Sequence, residues 1–231
     1  MASELDRIRE RYSKRTARYD PWLPWVYMSR FELERELLSL LRKHRMLPAE
    51  NRRVLDFGCG TGGHLQFFIR AGFAPELLCG VDLQESRVEA ARIRLPAAVR
   101  LISGDASTVD LPHGEFDIVF QSLMFSSVLD DGLQRALADR MWKLTSPGGC
   151  IIWYDFTWNN PRNPDVRGVT VRRIRELFPE AMLEVRRVTL APPIARAVTR
   201  VSPGLYSLFN LVPLLRTHVL CWLGKPSRQK V

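Results

Sequence analysis

The chain has 231 residues, 46% of them hydrophobic and 26% charged, with 34 Lys and Arg against 25 Asp and Glu for a net charge of +9. That length suits one domain with a full core, and the balance excludes a disordered or fibrous chain. No apolar run reaches the roughly 20 residues of a membrane span, and the charged N-terminus does not read as a secretory signal. Four scattered cysteines and four dispersed histidines give neither a Cys-x-x-Cys pair nor zinc spacing, so no metal site is expected and the cytoplasm is the expected compartment. The basic excess leaves nucleic acid, an anionic membrane surface, an acidic substrate or an ordinary basic surface open.

In chain order, residues 2–18 are highly charged, with Leu5, Ile8 and Tyr12 at helical spacing. Residues 19–27 form a proline-broken aromatic segment, and Ser29 is placed to cap a helix over 30–45 with Leu33, Leu37, Leu40 and Leu41 on one face. Strands at 53–57, 77–82 and 99–103 then alternate with helices at 63–71 and 84–94. A strand at 116–121 precedes a helix near 130–144, which stops at Ser146-Pro147-Gly148-Gly149 before a strand at 150–155. A helix near 170–178, a strand over 182–190, a largely helical connection 192–215 and a last edge strand at 218–223 complete the reading. Alternation of this kind predicts an α/β fold, a doubly wound and mostly parallel Rossmann-like seven-stranded sheet. Residues 1–45 form an N-terminal helical and aromatic cap, and 46–231 form the main domain. Residues 192–215 are a helical insertion before the last strand, over the active-site edge.

The first strand ends on Asp56 and turns through Gly58, Gly60, Gly62 and Gly63 into a helix. Glycines there let the backbone turn sharply and approach a ligand. Gly58-x-Gly60-x-x-Gly63 also satisfies the dinucleotide fingerprint, which alone is weak. Asp82 closes the second strand, 20 residues beyond Gly62, where a carboxylate can accept ribose hydroxyls. Asp105 follows the third strand, placed to reach an adenine amino group. All three acids fall at the carboxyl ends of neighbouring strands, the edge where open α/β sheets bind ligands.

With these motifs the chain resembles the class I S-adenosylmethionine-dependent methyltransferases over about residues 50–156. Asp56 with Gly58, Gly60 and Gly62 matches their first motif, Asp82 their second, and Asp105 with Ala106 their third. The strand 116–121 and the turn Leu144-x-x-Pro147-Gly148-Gly149 also fit. The resemblance implies that S-adenosylmethionine is the cofactor. Asp56 would then hold its ammonium, Asp82 with Leu83 the ribose, Asp105 with Ala106 the adenine, and Gln121 the methionyl part. Physical sense agrees, because an acid at the mouth of the glycine loop repels a pyrophosphate and attracts an ammonium. An NAD-dependent reductase is the rival on the cofactor side, and a cofactor-binding module without catalysis is the rival outside enzymes.

Methyl transfer is an in-line displacement, so the enzyme chiefly positions the acceptor and excludes water. Gln121 stands where metal-dependent O-methyltransferases of this fold place an Asp, which speaks against a metal. Asp155 is the candidate general base for a hydroxyl acceptor. Tyr154, Asn160, Arg162 and Asn163 are the candidate acceptor contacts, since Asn and Arg suit sugar hydroxyls or a phosphate. The alternative is a loop that holds itself together through Asn-Pro turns and an Arg–Asp pair.

Trp153-Tyr154-Asp155, the segment 160–168, Leu190-Ala-Pro-Pro-Ile-Ala-Arg196 and Leu214-Leu-Arg-Thr-His218 resemble small methyltransferases of bacterial polysaccharide, glycoconjugate or natural-product biosynthesis. That resemblance implies O-methylation of a small molecule or a lipid-linked glycan. Only the charge favours an RNA methyltransferase, so a nucleic-acid partner is not expected. The stripes Trp22/Trp25/Tyr27 and Leu205/Tyr206/Leu208/Phe209 suit a roof over an acceptor pocket, a core, a homodimer contact or peripheral contact with an anionic membrane at its inner face.

Overall fold

A computed structural model describes residues 4–13, 20–159 and 163–227. Two helices open the chain, α1 (Glu4–Ser13) and α2 (Pro24–Lys43). Alternation follows with β1 (Val54–Phe57), α3 (Gly63–Arg70), β2 (Leu78–Asp82), α4 (Glu85–Arg94), β3 (Arg100–Ser103) and β4 (Phe116–Ser122). Next come α5 (Asp131–Leu144), β5 (Thr145–Phe156), α6 (Val171–Leu177), β6 (Met182–Leu190), α7 (Pro192–Val201), α8 (Gly204–Asn210) and β7 (Arg216–Gly224). The strands form a seven-stranded sheet in the order β3-β2-β1-β4-β5-β7-β6. Strands β1 to β5 pair in parallel, and β7 runs antiparallel between β5 and β6.

Three expectations are corrected. The last strand is interior rather than an edge, because His218–Gly224 is buried throughout and needs cover on both sides, whereas β6 is half-buried over most of its length. Helix α2 begins at Pro24, where the ring presets φ for a first turn, and the Ser29 hydroxyl donates to the Trp25 carbonyl inside the helix instead of capping it. Strand β5 starts at Thr145, so the Pro-Gly-Gly stretch lies within its irregular beginning, next to a register shift between Phe116 and Ile118.

Each sheet face is covered by amphipathic helices. Leu37, Leu40 and Leu41 of α2 and Phe67 and Phe68 of α3 pack on one face. Leu137 and Met141 of α5, Ile174 of α6 and Ile8 of α1 pack on the other. A small third cluster seats the insertion, with Leu190, Ala195 and Tyr206 against Trp25 and Met28.

Strand β6 is parallel to β5 through their shared neighbour, so α7 and α8 stand at the sheet's carboxyl edge. Helix α2 runs the opposite way. Its C-terminal Lys43 and the following His44 bond to Glu184 near the start of β6. Farther up α2, Glu32 accepts from the Thr189 N–H at 3.0 Å, near that strand's end. Glu32 also takes the Asn210 amide and the Tyr206 hydroxyl, both at 2.6 Å. One buried carboxylate thus joins α2, β6 and α8.

Candidate active site

The glycine loop is tied to its neighbours by backbone hydrogen bonds. The N–H groups of Gly58 and Cys59 donate to the Val81 carbonyl at 2.8 and 2.9 Å, pulling the turn over the end of β2. Gly62 precedes α3 at φ +81°, a left-handed conformation that strains other residues, and a Cβ there would also stand 2.6 Å from Leu95 Cδ1. Gly60 differs, for at φ +53° it has nothing within 4 Å of a Cβ position. Its outer face is open to a ligand.

Asp56 lies beneath this loop. It is fully buried, and neither carboxylate oxygen has a hydrogen-bond partner. Burial, helped by the nearby Asp82 charge, raises its pKa to about 8. A buried acid is stable when ionised only beside a cation or donors. Asp56 has neither within the protein, and the observation fits a site completed by a ligand's ammonium.

Asp82 has a different environment. Its Oδ2 accepts from the Gly60 N–H at 2.8 Å and its Oδ1 from the Gln84 N–H at 2.9 Å. The acid therefore pins the glycine loop to β2, and each oxygen keeps a lone pair for a further donor. Asp105 forms its own turn, accepting from the Ser107 N–H and hydroxyl. Leu83 and Ala106 sit half-buried in the same apolar cluster, with Met124. The sequence signals brought these three loops to one edge.

The ends of β4 and β5 depart from expectation in detail. The Gln121 amide is fully buried, donating to the Tyr154 carbonyl and accepting from the Met124 N–H, both at 3.3 Å. Its position at the edge holds, but both ends of its amide are engaged within the protein. Leu123 follows at φ +56°, a left-handed conformation unusual for leucine. Nothing in the sequence signalled that kink. Tyr154 faces inward: its ring stacks on His218 and its hydroxyl is bonded to Thr189 at 2.9 Å, so it is not presented to an acceptor. Asp155 is fully buried and accepts from the Ser126 N–H at 3.1 Å and the Phe156 N–H at 2.9 Å. Burial raises its pKa to about 7 against those hydrogen bonds. In this arrangement Asp155 clamps the loop after β4.

Asn160 and Arg162 lie outside the described residues. Asn163 accepts from the Asp165 N–H, Asn159 from the Gly168 N–H, and Arg167 pairs with Asp131 of α5. Among its described residues the loop has two polar contacts of its own and is also tied to α5, to Ser126 through the Arg167 N–H, and to Thr217 through the Thr157 N–H.

Helix α1 crosses the same edge. Arg11 donates to the Ser127 carbonyl at 2.9 Å, the Tyr12 hydroxyl meets Ser127 Oγ at 2.9 Å, and Arg87 of α4 lies 4.4 Å over the Tyr12 ring. The helix therefore links the loops after β2 and β4. Only its apolar spacing was legible beforehand.

Residues 54–149 match the family model described as a methyltransferase domain. A malonyl-[acyl-carrier protein] O-methyltransferase of Bacteroides fragilis is 37% identical over 108 residues, which are 46% of this chain and 21% of that protein. A fatty-acid O-methyltransferase of Mycolicibacterium smegmatis is 31% identical over 107 residues, 46% of this chain and 38% of that protein. The chain spans about half or less of the length of the curated relatives it first matches. An S-adenosylmethionine-dependent methyltransferase from Mesorhizobium loti shares the fold with a TM-score of 0.59 and 19% identity, over 81% of this chain and 96% of that one. The family match places a methyltransferase domain at residues 54–149, and the solved structure shows that the chain shares its fold.

Proposed function

We propose that the protein transfers a methyl group from S-adenosylmethionine to an oxygen of a small-molecule acceptor, a lipid-linked glycan included, by in-line displacement. The observation that carries this reading is Asp56, an enclosed carboxylate without a partner beneath an open glycine loop. Its counterpart is the ammonium of the cofactor's methionyl part. Asp82 is assigned to the ribose hydroxyls, Asp105 to the adenine amino group, and Leu83 and Ala106 to the flank of the ring. When bound, the cofactor supplies an electrophilic methyl group. This chain's own part is to hold its two polar ends and exclude water between sulfur and acceptor.

Oxygen as the methylated atom is supported by the relatives named as O-methyltransferases, whose similarity lies largely in the cofactor-binding half. Because Asp155 is enclosed, an acceptor oxygen already ionised, such as a carboxylate, suits this edge better than a hydroxyl that needs a base. The surplus of Lys and Arg favours such an anion as well.

The test is thermal unfolding and calorimetry with S-adenosylhomocysteine and, separately, NAD(H). At a hundredfold excess over its Kd a ligand of the folded state adds about 2.7 kcal/mol, about 5–10 °C at this chain size. That shift is expected with S-adenosylhomocysteine alone, and Asp82→Ala should weaken its binding at least tenfold. Stabilisation by NAD(H) instead would overturn the cofactor, and equal affinity in Asp82→Ala would remove the ribose assignment.

A further inference from the structure

Exposed large apolar side chains are not spread evenly over this molecule. Among the described residues, all except Ile93 and Met182 lie on elements of the sheet's carboxyl edge. The densest group is the turn between α8 and β7, where Leu211 is 72% exposed and Leu214 is 87% exposed, with Leu208 close by in sequence. Across α2, Trp22 is 89% exposed and Tyr27 is also outside. Folding leaves these groups in water although Tyr206, Trp25 and Met28 beside them are packed. Patches of this kind mark a surface meant to be covered.

Charge says what covers it. Residues 192–215 contain no Asp or Glu, and their charged residues are Arg196 and Arg200. Arg196 and Arg200 stand exposed on α7, one turn apart, and Arg196 lies 5.1 Å over the Trp25 ring. The insertion thus combines protruding leucines with charged residues that are all basic, the pairing that an interfacial element uses on an anionic bilayer. A second copy of this chain would bring the same positive charge to the same contact. The leucines also project rather than line a cleft, which suits burial among acyl chains better than recognition of a protein.

We propose that the α7–α8 insertion with the turn to β7 docks on an anionic lipid surface, and that Trp22 and Tyr27 at the start of α2 meet the same surface. Among the described residues no helix is long and apolar enough to cross a membrane, so this contact is peripheral. The docking face is independent of the activity. Its bearing on the acceptor, which would be drawn from the bilayer into the carboxyl edge, rests on the methyl-transfer reading.

Flotation of the full chain with vesicles tests it. Wild type should float with phosphatidylglycerol-containing vesicles at low salt and at least tenfold less with pure phosphatidylcholine. Leu211→Glu combined with Leu214→Glu should cost at least another tenfold on anionic vesicles while leaving the unfolding temperature and the S-adenosylhomocysteine affinity unchanged. Arg200→Glu should weaken flotation at low salt and have little effect at high salt. Folded wild type that ignores anionic vesicles, or a Leu211/Leu214 variant that floats like wild type, would overturn the proposal. So would self-association or capture of an acidic protein, without lipid, that the same double variant abolishes. Wild type that floats but does not bind S-adenosylhomocysteine would instead overturn the cofactor reading and leave the docking surface standing.

Discussion

At the residue scale, burial sets the chemistry of two acids of the site. Asp56 is raised to about 8 by burial and by Asp82, and Asp155 to about 7 by burial. Both folded values lie above the unfolded value of about 4. Each group's favourable contribution is therefore complete below that unfolded value and is lost as pH rises through its folded value. Asp56→Asn should then raise the unfolding temperature of the ligand-free protein at pH 8, by several degrees, while weakening S-adenosylhomocysteine at least tenfold. Scanning calorimetry and titration of the same variant check the pair. Asp155→Asn separates a clamp from a base. Disturbing its contacts with Ser126 and Phe156 should lower the unfolding temperature and raise KM for the cofactor. A base would instead lower kcat alone and remove a limb near pH 7 from the rate profile.

At the scale of elements, the sheet was readable because each βα repeat carries its own periodicity and punctuation. In the structure Asp130 and Thr170 cap helices, accepting from the N–H groups of Leu133 and Arg173. The order in which β6 and β7 lie was not readable from local pattern, since both are apolar runs and only burial on two faces distinguishes the inner strand. Glu32 escaped for a similar reason. On a helical wheel it reads as one more charge in Glu-Leu-Glu-Arg-Glu, and only the tertiary structure brings Thr189, Tyr206 and Asn210 to it. Hydrogen bonds to a charged group contribute about 1.5–3 kcal/mol each. Glu32→Ala should accordingly loosen the insertion. Limited proteolysis within 200–215 should become faster, with the unfolding temperature lower by several degrees. What was legible of the candidate site is that the glycine loop and the strand-end acids Asp56, Asp82 and Asp105 share one edge, where motif spacing and topology coincide. The acceptor end was not legible, where Tyr154 and Asp155 lie on a strand whose inward and outward faces alternate and neither presents its polar group outward.

At the scale of the molecule, the buried titratable groups combine into one pH profile. His64 and His218, both lowered to about 4 by burial, stabilise the fold as pH rises from about 4 to the unfolded value near 6.5 and add nothing further above it. They offset the two acids over that window. Above pH 6.5 only the acids still change, so the ligand-free protein should lose unfolding temperature between pH 6.5 and 8. Saturating S-adenosylhomocysteine should reduce that decline, because a cation beside Asp56 removes that acid's share and leaves only the share of Asp155.

Asp56 is assigned a ligand's ammonium as its partner. Calorimetric titration of wild type with S-adenosylhomocysteine at pH 7, in buffers of different ionisation enthalpy, tests this assignment most directly. Release of close to one proton is expected on binding, since an acid with a pKa of about 8 is mostly protonated there and must ionise to pair. Asp56→Asn should abolish that release. Binding heats that do not depend on the buffer, or the same proton release from wild type and Asp56→Asn, would contradict it.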